Sequence, residues 1–157
     1  MARRRSAYDR RMRALNTCAV HSGRLMEIAV DAGYGSATDV DDMISKIGAT
    51  MSRLPPTTRV VIAADWRGCH LMPPPAAERA HVMLRATNDR IERSAILGST
   101  TSSVEMLQFM RLVRESQHPS RRVFQDPREM SAYLGELLTP SERRRLDAFL
   151  FRARPSA

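Results

Sequence analysis

Three short apolar runs constrain this chain more than any other feature. Val60–Ala64 is apolar at every position, as a strand covered on both faces must be. Ser94–Gly98 and Arg122–Phe124 hold shorter apolar runs, Ala95–Leu97 and Val123-Phe124. Helix-length stretches separate them, each opened by a start signal. Prolines head the segment from Pro74, and Ser102 with Glu105 forms a capping box before the next. Asp126-Pro127 with Glu129, and Thr139-Pro140 with Glu142, open the last two helices. Upstream, a helix is predicted to start near Thr38, where Asp39, Asp41 and Asp42 suit the positive end of its dipole. Val40, Met43, Ile44, Ile47, Met51 and Leu54 then recur at helical spacing until Pro55-Pro56 stops them. Before that helix, segments 13–20 and 24–31 flank His21-Ser22-Gly23 and predict a β-hairpin.

The order β-β-α-β-α-β-α-β-α-α predicts an α/β fold. Its sheet is mixed and mostly parallel, of four to five strands, with the N-terminal hairpin as an antiparallel edge and about five helices around it. A chain of 157 residues is one domain's worth of core. The divisions expected are an Arg-rich arm over 1–12, the α/β domain over 13–138, and a C-terminal helix with a basic tail over 139–157.

Charge is sorted along the chain. The net charge is +8, and every basic residue except Lys46 is arginine. Residues 1–13 hold six Arg and one Asp, and residues 143–157 hold five Arg and one Asp. The 14 basic and 15 acidic residues between them leave the body close to neutral. The high isoelectric point therefore describes two ends, not a basic groove. No apolar run approaches the ~18 residues of a membrane helix, so no membrane insertion is expected. No apolar segment follows the basic start as in a signal peptide. With only Cys18 and Cys69, no disulfide framework is expected, and a cytoplasmic location is the simplest expectation.

Open parallel sheets bind ligands beyond the carboxyl ends of their strands. The sequence puts Asp65, Trp66, Arg67 and His70 there after one strand, and Ser99, Thr100 and Thr101 after the next. Asp65 has no second carboxylate for paired acid–base work, and its blander role is to cap the strand end. Cys69 and His70 lack the spacing of a zinc site, and neighbours in sequence need not face each other. No catalytic, metal or cofactor-binding set emerges, and neither glycine-rich phosphate loop is present. Trp66, the only tryptophan, lies between charged residues in a loop stiffened by Pro73–Pro75, so Asp65, Trp66, Arg67 and His70 are read as a partner grip. Ser99, Thr100 and Thr101 before a helix, and the run Arg143-Arg144-Arg145, are candidate anion-binding residues.

Some segments also carry a family resemblance. The strand RVVIAAD ending at Asp65, the strand SAIL and the closing RRVFQDPREMSAYL resemble the STAS domain superfamily, in particular its divergent SpoIIAA-like branch. The resemblance spans roughly 13–138 and implies a non-catalytic regulatory module that docks on other proteins, sometimes within larger assemblies. It also implies a phosphorylated Ser or Thr at the start of the helix after Asp65. Residues 59–86 contain neither, so that switch is not expected here. The expected partner is thus another protein, a like chain included, with nucleic acid bound through the Arg-rich ends as the alternative.

Overall fold

A computed structural model describes residues 15–155. The arm over 1–12 and the first residues of the expected strand from 13 lie outside the described residues. Five strands form one sheet in the order β1-β2-β3-β4-β5: β1 (Asn16–Ser22), β2 (Leu25–Val30), β3 (Val60–Asp65), β4 (Ile91–Leu97) and β5 (Arg121–Phe124). β1 and β2 are antiparallel and the remaining pairings are parallel. The helices are α1 (Ala37–Ser52), α2 (Pro74–Ala86), α3 (Ser103–Ser116), α4 (Pro127–Gly135) and α5 (Pro140–Leu150). The α/β class, the antiparallel hairpin edge and the parallel body are as the sequence predicts.

Strands placed in sequence order with right-handed crossovers put every connecting helix on one face. Met26, Ile28, Val30, Ile62, Ala64 and Ile96 accordingly pack beneath α1, α2 and α3. The alternate residues Leu25, Ala29, Val61, Ala63 and Ala95 point the other way and need their own cover. α4 and α5 supply it through Met130, Leu134, Leu146, Phe149 and Leu150. The final helix is therefore half of a core layer. β3, central and covered twice, is buried at every residue, which explains its unbroken apolar run.

Element boundaries moved where polar side chains found partners. α1 is capped by Ser36, not Thr38, because the Ser36 hydroxyl accepts from the Asp39 N–H. The hairpin strands shift to Asn16–Ser22 and Leu25–Val30, with Gly23 in the turn at φ +54°. α2 stops at Ala86, and β4 begins at Ile91 rather than Ser94. Glu92 and Arg93 disguise that strand: Arg24 ion-pairs with the first, and Arg93 donates to Tyr133 O and Glu136. Thr139 and Glu142, the predicted start of α5, form a full capping box. At α3 only half forms: Ser102 Oγ accepts from Glu105 N, while the Glu105 carboxylate lies 3.4 Å from His70 Nδ1. Among the described residues no helix is long and apolar enough to cross a membrane.

Candidate functional site

The rim beyond the carboxyl ends of β2, β3 and β4 starts from Asp65, the last residue of β3. Its side chain is 0 % exposed. Oδ1 accepts from the Arg67 backbone N–H at 3.1 Å and from Arg67 Nε at 3.0 Å. Oδ2 accepts from Arg67 Nη2 and from Arg152 Nη1, both at 2.8 Å. Arg152 continues to Asp31, reaching both carboxylate oxygens at 3.2 Å. The same two arginines close the end of α5: Arg67 donates to Leu150 O, and Arg152 donates to Phe149 O while its guanidinium stacks on the Phe149 ring at 4.4 Å. Cations at a helix C-terminus also suit its dipole. Burial alone pushes the Asp65 carboxyl up, but the hydrogen bonds and charge of Arg67, with Arg152 behind, outweigh it and hold it below its ordinary value.

The structure turns three of the four residues read as a partner grip toward their own chain. Asp65 is consumed by two guanidinium groups of its own chain and presents nothing outward. Trp66 is 1 % exposed and stands between Tyr34 and Phe109, edge-to-face to each, with ring centroids 5.7 Å and 5.1 Å away. Its loop folds inward because the indole is the largest apolar plug available over the end of the α1–α3 core. Cys69 is buried beside it, and burial pushes its thiol up to about 12, which removes it as a nucleophile near neutral pH. His70 alone of the group faces solvent, 80 % exposed, with Glu105 as its neighbour. The Cys69 thiol donates to His70 O and not to the ring, so these two residues form no nucleophile–base pair. Among the described residues no group of three or more His, Cys, Asp or Glu side chains comes together as a metal site.

Gly68 lets this loop close. A Cβ there would lie 2.9 Å from Asp31 Cα and 3.0 Å from its carbonyl oxygen, and backbone cannot step aside as a side chain can. Gly68→Ala is therefore expected to lower stability by about 1–3 kcal/mol, measurable by urea denaturation.

The candidate anion-binding residues do not converge. Ser99, Thr100 and Thr101 follow β4 at the carboxyl rim, where the Ser99 and Thr101 hydroxyls bond each other at 2.7 Å. Arg143, Arg144 and Arg145 lie in the first turns of α5, whose Glu142 reaches the Arg24 N–H at the opposite end of the sheet. Arg145 is committed to buried Glu27 through two hydrogen bonds of 2.7 and 2.8 Å. Arg144 bonds Ser141, and Arg143 stays exposed. With Arg152 also engaged, two of the five arginines in 143–157 are tied to acids of the same chain.

A different face stands out. Of seven large apolar side chains exposed among the described residues, five lie on or beside α2 and α3: Leu71, Val82, Val104, Leu107 and Met110. Leu107 is 66 % exposed. Between the two helices runs a groove of about 510 Å³ with Ala77, Val82 and Leu112 in its lining and Glu78, His81, Arg111 and Glu115 along it. Two mutual hydrogen bonds of 2.9 Å between Gln108 and the Met72 backbone fix the loop carrying Leu71 against α3. The sequence did contain the signal. Besides its buried set Met106, Phe109 and Leu112, α3 carries a second stripe at Val104, Leu107 and Met110, and one packed face needs no second stripe. A further groove of about 660 Å³ separates α3 from β5.

Compared with known proteins, the chain matches no family model, no curated protein and no solved structure.

Proposed function

We propose that this chain is a non-catalytic protein-interaction module that docks through the outer face of α2 and α3. The observation that carries this reading is that five of the seven exposed large apolar side chains, Leu71, Val82, Val104, Leu107 and Met110, lie on or beside α2 and α3, with Val82 in the groove between the two helices. Exposed apolar side chains clustered on one part of a surface mark interaction sites on folded proteins. A groove between two helices, apolar within and charged along both edges, takes an amphipathic helix, whose residues at i, i+3 and i+7 occupy it. The partner is accordingly another protein presenting such a helix. The STAS resemblance supports the same class of role, without the phosphorylation switch. Catalysis finds no support at the rim, where the carboxylate is neutralised and the thiol is buried.

The test places a photo-crosslinking amino acid at position 107 or at position 70 of the full chain, in native extract. The expected result is a crosslink from 107 to a helical, amphipathic segment of one protein, abolished by Val82→Glu, and none from 70. Crosslinks that arise from position 70 and ignore Val82→Glu would return the docking site to the rim.

A further inference from the structure

The groove between α3 and β5, which Met110 also lines, carries a second inference. β5 closes the sheet: among the described residues it pairs with β4 alone. Ser120 and Phe124 turn their carbonyls toward β4, accepting from Ser94 N and Gly98 N. Backbone groups alternate along such a ladder, so the N–H and C=O of Val123 turn outward. Met106, Met110, Val113, Val123 and Phe124 line the adjoining groove.

Its charged groups are sorted by position. α3 descends from the carboxyl rim of the sheet and β5 climbs back, so Arg114 and Arg122 share the lower end of the groove. Asp126 and Glu129, which follow β5, share the upper end. Among the described residues none of these four makes an ion pair within the chain. All four are exposed. A groove basic at one end, acidic at the other and apolar between has a direction, and an inverted copy of itself complements it.

We infer that this groove is the interface of a symmetric dimer with a second copy of this chain. A two-fold axis reverses the groove, so the Arg114–Arg122 end of each copy meets the Asp126–Glu129 end of the other. The apolar linings then cover each other at the centre. The sequence carries the same symmetry: Arg122 stands two residues before Phe124 and Asp126 two after. Antiparallel approach centred on Phe124 sets Arg122 opposite Asp126. An isologous contact requires a patch that complements itself, and a patch of one sign would repel its copy. β5 has four residues, so its edge contributes few hydrogen bonds, and the charges with the α3 side chains carry the rest.

Sedimentation equilibrium of the full chain tests this with Arg122→Glu, Glu129→Arg and an equal mixture of the two. Both positions are exposed, and thermal melts check that each variant folds. The wild type is expected to dimerise, and each reversal alone to weaken self-association by roughly tenfold or more. The mixture is expected to restore a dimer. In it the carboxylate introduced at position 122 of one copy meets the end of the other copy that carries the guanidinium introduced at position 129, while the second copy's native Arg122 meets the native Asp126–Glu129 end of the first. A wild type that stays monomeric, a dimer indifferent to both reversals, or a mixture that fails to re-associate each overturns the proposal.

Discussion

Trp66→Ala is expected to destabilise the fold by about 3–5 kcal/mol, the range for emptying a buried aromatic site. The indole is 1 % exposed and fills the space between Tyr34 and Phe109 at the carboxyl end of the core. Its removal costs the transfer free energy of a large apolar side chain and the cavity it leaves. Two edge-to-face contacts, each worth about 0.5–1.5 kcal/mol beyond burial, go with it. Collapse into the gap is limited, because Asp65 and Arg67 on either side are pinned by their own ion pair. Trp66→Phe keeps an aromatic plug and should cost about half as much or less. Urea titrations followed by circular dichroism would compare the three proteins. A Trp66→Ala midpoint within error of wild type would mean that the indole does not hold the core. The prediction also shows why this variant is a poor probe of partner binding: lost binding would report lost structure.

The fold was legible where each element announced itself twice. β3 had both its unbroken apolar run and the Asp that ends it, and α4 and α5 had a cap, a proline and an acid in register. β4 was legible only in its second half. Glu92 and Arg93 look like helix surface until Arg24, Glu136 and the Tyr133 carbonyl are known to be waiting for them. Those partners lie dozens of residues away, so no local pattern encodes them.

The site was less legible, for the same physical reason. Asp65, Trp66 and Arg67 have the composition of a binding hot spot, and a one-dimensional pattern cannot say whether such residues face a partner or their own chain. Arg152 decides it. Its position 87 residues from Asp65 means that the closing contact appears only once α5 is folded onto the sheet. The excess of C-terminal arginine divides in the same way. Arg145 and Arg152 answer Glu27, Asp31 and Asp65, while Arg143, Arg144 and Arg154 remain exposed. A charge count along the sequence weighs all five alike, although the structure uses two of them as fasteners.

Asp65→Ala is expected to cost about 3–5 kcal/mol, because it leaves Arg67 and Arg152 beside a buried site without their shared anion. Replacing the whole cluster by apolar residues of similar shape would cost less, since the penalty comes from orphaned charge. The wild-type contribution also has a sign with pH. The Asp65 carboxyl is held below its ordinary value of 3.8 in the folded protein, so its stabilisation is fully present above that value. It is lost as the pH falls through the lower, folded-state value, where the native carboxylate at last takes up its proton. Asp65→Asn cannot titrate. Its stability should start lower at neutral pH and fall less steeply in acid, so the two curves converge as the pH falls through the folded-state value of the wild-type carboxyl. Urea midpoints from pH 7 to pH 2 would separate the cases. Parallel acid limbs for wild type and Asp65→Asn would mean that folding does not lower the Asp65 pKa. Convergence, together with the same loss in Arg152→Met at pH 7, would show that the conspicuous aspartate of the carboxyl rim works as the clasp that fastens α5 to the sheet.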